Sequence, residues 1–360
     1  MQALSFYAGP KALAHVRKHG LRAQDVAVIP AAAGGPKGLI LQALDQFLFG
    51  HWLPQAPRER SMIGASIGAW RMAAACHLDP VDAFARLGEL YCGQYYTAKP
   101  TPQEIDVVCQ KLLQDFVGGH GDEILQHAHN RLHIVTTRGK GMLQAPRHRA
   151  AQIGGFVAAT MLNLGARSHL ARMMERVVIS DERDAPSWLR NDFDAFTTHF
   201  APLGKDNLAT GLLASGTLPL VMEPVRSIAN TPPGTYWDGG MIDYHLAYPY
   251  SRLQGQLVLY PHFSEHIVPG WLDKTLPWRR AARGPQRHWL DNVIIVAPSD
   301  DFLRTLPRSK LPDRQDFAHY GLDHDARIRH WKQAIAEGKY LRDEFAAFAE
   351  RPNMARLQPI

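Results

Sequence analysis

Met62-Ile63-Gly64-Ala65-Ser66-Ile67-Gly68-Ala69-Trp70-Arg71-Met72-Ala73-Ala74-Ala75 is the stretch whose reading decides the fold. Met62 and Ile63 read as the end of an apolar strand, and Ala69 to Ala75 read as a helix. Between them stands the pattern G-x-S-x-G, Gly64 to Gly68. Small residues on both sides of a serine let the chain turn sharply from strand to helix, leaving the hydroxyl at the helix N-terminus. The dipole of that helix favours the negative charge that develops in acyl transfer. The setting predicts a nucleophile elbow, with Ser66 as the nucleophile.

Outward from the elbow, the chain alternates between strand and helix. Residues 26–33 (VAVIPAAA) form a short apolar run of the kind found in buried parallel strands. A glycine turn, Gly34-Gly35-Pro36-Lys37-Gly38, follows it, and residues 39–48 read as a largely buried helix. Further apolar runs stand at 132–135, 257–260 and 293–296. Strands separated by helical stretches predict an α/β fold, with a mostly parallel sheet and helices on both faces. Residues 151–174 carry Ile153, Phe156, Val157, Met161, Leu162 and Leu164, followed by Arg167 and Arg172. This pattern suits either a helix packed on the core or an amphipathic flap over the site. Residues 326–348 have helical spacing at Ile328, Trp331, Ile335, Leu341 and Phe345.

Composition narrows the function classes. The chain has 360 residues, 46% of them hydrophobic and 21% charged, as expected of a soluble globular protein. The first ten residues have neither a basic n-region nor an apolar h-region, so no secretion signal is expected. No window approaches the length of an apolar membrane span. Cys76, Cys92 and Cys109 lack metal-ligand spacing, which fits a reducing, cytoplasmic setting. The net charge of +6 is unevenly placed. Arg131, Arg138, Lys140, Arg147, Arg149, Arg167 and Arg172 run without an acidic residue between them. A second run, Lys274, Arg279, Arg280, Arg283 and Arg287, is interleaved with Trp271, Trp278 and Trp289. Such runs suit a solvated positive face or an anionic membrane surface. No nucleic-acid-binding motif accompanies them, so no nucleic-acid partner is expected.

A serine at an elbow needs a base to take its proton and donors to hold the oxyanion. Composition leaves a histidine base open, since the chain has 18 histidines, but it singles none out. His77 lies beyond the helix that starts at Ser66, and His245, His262 and His266 are the others to watch. Asp238, in Tyr236-Trp237-Asp238-Gly239-Gly240-Met241, is the stronger candidate. Gly239 and Gly240 would let the backbone turn tightly and present the carboxylate to a crowded site, although an Asp-Gly turn can be structural only. Gly34 and Gly35 offer unencumbered backbone N–H groups, Lys37 adds a positive charge, and Gly38 opens the next helix. Lys37 is followed by Gly38 and not by Ser or Thr, which argues against a nucleotide-binding P-loop.

Taken in order, Gly34-Gly35-Pro36-Lys37-Gly38, Gly64-Ala65-Ser66-Ile67-Gly68 and Asp238-Gly239-Gly240 resemble the patatin-like phospholipase family. The stretch Ala214-Ser215-Gly216-Thr217-Leu218-Pro219, continuing to Pro224-Val225, is similar to the one preceding the family's Asp-Gly-Gly/Ala. The resemblance spans roughly residues 24–250 and implies a three-layer α/β/α patatin-like fold. It divides the chain into an N-terminal segment (1–23), an acyl hydrolase core (24–260) and a C-terminal extension (261–360) expected to pack on the core. It implies a dyad in which Ser66 attacks the acyl carbonyl and Asp238 accepts its proton and later activates water. Gly34 and Gly35 would hold the oxyanion, with Lys37, Gly38, Gly64, Gly68, Gly239 and Gly240 in support. The expected activity is cleavage of lipid carboxylic esters, of phospholipase A or lysophospholipase type. No cofactor or metal is implied, and the sequence does not specify an oligomeric state. A soluble esterase or thioesterase and a non-catalytic lipid-binding scaffold are the alternatives. The chain departs from the family at Ala33, where a glycine usually opens the loop, and at Asp243-Tyr244-His245-Leu246, where Asn-x-Pro is frequent.

Overall fold

The apolar runs become strands of one ten-stranded sheet. The computed structural model describes residues 2–184, 186–190 and 193–360. In chain order the strands are β1 (Leu4–Ala8), β2 (Val26–Ala31), β3 (Arg60–Ala65), β4 (Asn130–Gly139), β5 (Met174–Ser180), β6 (Thr198–Pro202), β7 (Tyr236–Asp238), β8 (Leu257–Pro261), β9 (Val293–Pro298) and β10 (Leu357–Pro359). Their spatial order is β10-β1-β9-β8-β2-β3-β4-β5-β6, with β7 paired to β4 off this path. From β9 through β8, β2 and β3 to β4, neighbours are parallel. Every residue of β2, β3, β8 and β9 is buried; β2, β8 and β9 read in sequence as unbroken apolar runs, whereas β3 opens with the buried polar Arg60 and Ser61. Antiparallel pairings flank this centre, β1 with β9 and β4 with β5 and β7. The sheet draws on all parts of the chain, since β1 comes from the first residues and β9 and β10 from the last hundred.

Helices cover both faces. Gly211, in the helix Leu208–Gly216, lies against Ile134 of β4 and Ile179 of β5. Arg176 of β5 points the other way, to Asp243 in the helix Gly240–Asp243. Side chains along a strand alternate between faces, so residues three apart put these two helices on opposite sides.

Two expected helices differ in detail. The segment expected as one helix over 39–48 begins earlier and changes pitch: a 3₁₀ segment Gly35–Leu41, an α-helix Gln42–Phe47 and a wider turn Leu48–Trp52. Pro36 and Gly38 are poor α-helix formers, which fits the tighter start. The pattern over 326–348 forms two helices, His324–Glu337 and Lys339–Glu350, that break at Gly338. There the backbone passes so close to the Ile40 carbonyl that a Cβ would lie 2.7 Å from its oxygen. The segment 151–174 forms the helix Arg149–Gly165, then the 3₁₀ turn Arg167–Arg172 and the start of β5. No helix among the described residues is long and apolar enough to cross a membrane.

Candidate active site

The elbow forms where β3 ends. Ser66 adopts φ 56° and ψ −132°, and the helix Ile67–Ala74 begins at the next residue. A positive φ on a residue with a side chain is strained and persists only where surrounding contacts impose it. Two kinds of contact do so here. The Ser66 N–H donates to Ser215 Oγ at 2.8 Å, and Ser215 Oγ donates in turn to the Val135 carbonyl at 2.6 Å. The flanking glycines are a steric requirement of the turn. A Cβ on Gly64 would lie 2.4 Å from Gly68, and a Cβ on Gly68 would lie 1.9 Å from the Ala31 carbonyl oxygen. Arg71, one turn further on, anchors this helix through a buried bidentate pair with Asp45, both contacts at 2.8 Å.

Asp238 ends β7, opposite Thr136 of β4. Its N–H donates to the Thr217 carbonyl at 2.8 Å, and the Gly239 N–H donates to the Ser215 carbonyl at 3.2 Å. One short stretch, residues 215–217, therefore ties the serine turn to the aspartate turn. The Asp238 carboxylate accepts the Gly240 N–H at 2.7 Å and has the Arg314 guanidinium 3.9 Å away. Burial pushes its pKa above the ordinary carboxylate value; Arg314, the neighbouring Ser66 side chain and the Gly240 N–H hold it back. The serine turn and the carboxylate are thus brought together.

The glycine loop closes the third side. Gly35 has φ 57°. Phe263 occupies the space a Gly34 side chain would need, so that a Cβ on Gly34 would lie 2.5 Å from its ring. The N–H groups of Gly34 and Gly35 donate to no protein acceptor among the described residues. Gly38 lies against Arg71 and Ile67, so the loop and the elbow helix touch. Lys37 reaches over the Phe263 ring, 5.7 Å from its centroid, and burial lowers its pKa while Asp313 resists that. Ala33, the departure from the expected loop, donates its N–H to the Tyr244 carbonyl at 2.9 Å, and its Cβ fills the space above Gly240. The second departure also has a structural role: Asp243 holds the fully buried Arg176 at 2.6 Å, and Tyr244 lines the site.

These groups surround a cavity of about 180 Å³. Gly34, Lys37, Asp238, Tyr244, Lys274 and Arg314 lie on its wall. Ser66 is only 2% exposed and is not itself among the lining residues, whereas Asp238 is. The Lys274 ammonium lies 4.1 Å from the Tyr244 ring centroid; desolvation, Lys37 and Arg314 all lower its pKa. Lys274 and Arg314 come from the C-terminal hundred residues; the sequence marks Lys274 only as part of a basic, tryptophan-interleaved run and does not mark Arg314 at all. Ser215 stands in the stretch that carries the family resemblance, but its bridging role emerges only from the fold.

The histidines stand elsewhere. No histidine hydrogen-bonds to Ser66 among the described residues. His77 packs against His120 and Phe116 at the far end of the elbow helix. There His77, His120 and Glu123 place ligand-type atoms within 4.8 Å of one another, but the Arg86 guanidinium sits against both rings. His245 and His262 are buried with ring centroids 4.3 Å apart, and burial holds both neutral, His262 down to about 3. His266 is half-buried and donates its backbone N–H to Ser264. Chemically, the site offers a hydroxyl beside a partly desolvated carboxylate, two free backbone donors and a cationic rim. Searches against protein-family models and against curated proteins return no match to this chain.

Proposed function

We propose that the protein is a patatin-like serine acyl hydrolase that cleaves carboxylic esters of lipids through a Ser66–Asp238 dyad. The observation that carries this reading is the strained Ser66 turn with its hydroxyl against the desolvated Asp238 carboxylate. In this reading Asp238 takes the Ser66 proton as Oγ bonds to the acyl carbonyl carbon. The proton then passes to the departing alkoxide as the ester bond breaks. Water, deprotonated by Asp238, attacks the acyl-enzyme and releases the carboxylic acid, and the proton returns to Ser66. Gly34 and Gly35 would donate to the oxyanion, and Lys37 would support their loop from Phe263. A carboxylate is a weak base in water, so its burial here supports the role assigned to it.

The small cavity, about 180 Å³, favours a second reading, a soluble esterase or thioesterase for short acyl groups. Labelling with a fluorophosphonate probe tests both. Wild type should label, and Ser66→Ala and Asp238→Ala should not, in samples of unchanged fold. Absence of Ser66-dependent labelling would refute the hydrolase reading. Hydrolysis that falls steeply with acyl-chain length would favour the soluble esterase.

A further inference from the structure

The helix Arg149–Gly165 turns an apolar stripe outward. Gln152, Gly155, Phe156, Ala159 and Asn163 form its buried side. Ile153, Val157, Met161 and Leu164, spaced by four, four and three residues, lie on the opposite side. With Met142 and Trp278 they are between 43% and 65% exposed. Other exposed apolar residues, such as Leu78, Val107 and Leu322, are scattered along the chain, whereas these stand together on one helix side and its neighbours, and a cluster of this kind marks an interaction surface.

Both ends of the stripe are tied to segments that wall the cavity. Arg149 donates to the Leu220 carbonyl at 3.4 Å, and Leu218 and Pro219 line the cavity. Arg279, next to Trp278, donates to the Leu164 carbonyl at 3.2 Å, and Trp271 and Lys274 of the same segment line the cavity. The stripe therefore adjoins the entrance to Ser66 and Asp238.

The frame of this face is cationic. Arg147, Arg149 and Arg172 are exposed, and no acidic residue occurs between Arg147 and Arg172. The one carboxylate in the Trp271–Trp278 segment, Asp273, is buried and already bonded to Asn163, Arg167 and Arg279. We infer that this face docks on an anionic lipid bilayer, with the stripe at the headgroup–acyl boundary and the arginines on the lipid phosphates. An amphipathic helix with one apolar side and flanking arginines lies in that boundary, and a helix of 17 residues that is not long and apolar enough to cross a membrane fits no deeper position. A second copy is a poorer occupant, because it would set the same cationic frame against itself. The inference rests on the proposed function only for its purpose, delivering ester-bearing lipid to the cavity. Binding itself is independent of it.

Vesicle flotation of the full chain tests it, using Ser66→Ala protein so that the lipid stays intact. Vesicles of phosphatidylcholine containing about 30 mol% phosphatidylglycerol should float the protein, and phosphatidylcholine alone should float at least ~10-fold less. Val157→Asp/Met161→Asp, and separately Arg147→Gln/Arg149→Gln/Arg172→Gln, should each reduce flotation at least ~10-fold at unchanged Tm. No flotation, or flotation unmoved by Val157→Asp/Met161→Asp, overturns the inference. So does a dimer that this double variant dissociates without any lipid binding, which would assign the face to a second copy. Lipid binding without fluorophosphonate labelling of wild type would keep the docking face and remove the hydrolase. Labelling without lipid binding would do the reverse.

Discussion

Replacing Arg314 by Gln removes the cation nearest the Asp238 carboxylate while keeping much of the side-chain volume. The two groups are 3.9 Å apart. At that separation a unit pair is worth about 4 kcal/mol at an effective dielectric of 20 and about 1 kcal/mol in bulk water. The Arg314 side chain is 39% exposed, so water and salt screen it and the lower end applies, about 1–1.5 kcal/mol. That is roughly a tenfold change in the protonation equilibrium. The direction is fixed by charge: a cation favours ionised Asp238, so its loss makes the carboxylate easier to protonate. Burial already raises this group, and the substitution adds to that. In the proposed dyad only the ionised form is a base, so the acid limb of kcat/KM moves to higher pH. At a fixed pH on that limb, the loss relative to wild type should exceed the loss on the plateau by about tenfold. The assay is hydrolysis of a soluble short-chain ester followed from the acid range to neutrality. Arg314→Lys, which keeps the charge, should recover most of the displacement, and added salt should shrink the difference between Arg314→Gln and wild type. A limb that stays put, or moves to lower pH, would refute the coupling. So would an Arg314→Lys profile identical to that of Arg314→Gln.

Three further outcomes follow from the same geometry. Ser215→Ala leaves the buried Ser66 N–H without its acceptor, which should cost about 1–3 kcal/mol by denaturant unfolding and lower kcat more than it raises KM. Gly68→Ala forces a Cβ to within 1.9 Å of the Ala31 oxygen, so the elbow must shift; kcat should fall about 10²-fold, with a stability loss of about 1–3 kcal/mol. Asp238→Asn should abolish turnover yet raise Tm at neutral pH, because burying the ionised carboxylate costs stability. A folded-state pKa raised above the unfolded value gives a cost that is absent below the unfolded value and grows as pH rises toward the folded one. The Tm gain should therefore vanish as pH drops below the ordinary carboxylate range; a gain independent of pH would contradict the assignment.

Much of the centre of the fold was legible because its strands are buried on both sides. Residues 26–31, 257–261 and 293–298, and the Met62-Ile63 stretch of β3, carry an apolar signal that needs no tertiary knowledge. Gly64 and Gly68 were legible for a related reason: a sharp strand-to-helix turn admits little else, and the clashes at 2.4 and 1.9 Å state that requirement in distances. The helix boundaries were less so. Whether residues 35–52 wind as 3₁₀, α or a wider turn is decided by what they pack on, and Gly338 breaks a continuous helical pattern because of Ile40, almost three hundred residues away. The exposed side of the helix Arg149–Gly165 defeats pattern reading in another way. Apolar residues on both sides read as a core helix, and only the fold distinguishes the buried Phe156 from the exposed Val157.

The site divides along the same line. Gly34, Gly35 and Ser66 follow the ends of the adjacent central strands β2 and β3, and Asp238 ends the short β7, whose pairing with β4 brings it to the same edge. Lys274 and Arg314 lie on segments with no strand between them and the cavity, so neither periodicity nor spacing predicts their arrival. Yet they set the chemistry. Without Arg314, burial would drive Asp238 toward its protonated form, and the carboxylate would lose the basicity that the elbow requires. Lys37 and Lys274 are also on the wall, with Asp313 opposing them and the Lys274 pKa lowered to about 7, so the wall carries a net positive charge at and below neutral pH near a serine that is 2% exposed. In the proposed reaction an ester approaching Ser66 would pass this rim, which adjoins the apolar, arginine-framed face beside it. A substrate with a negative group next to an acyl chain satisfies both surfaces at once, whereas a small neutral ester uses only the cavity. The ratio of kcat/KM for an anionic over a neutral ester of equal chain length is accordingly the quantity in which rim and dyad are read together.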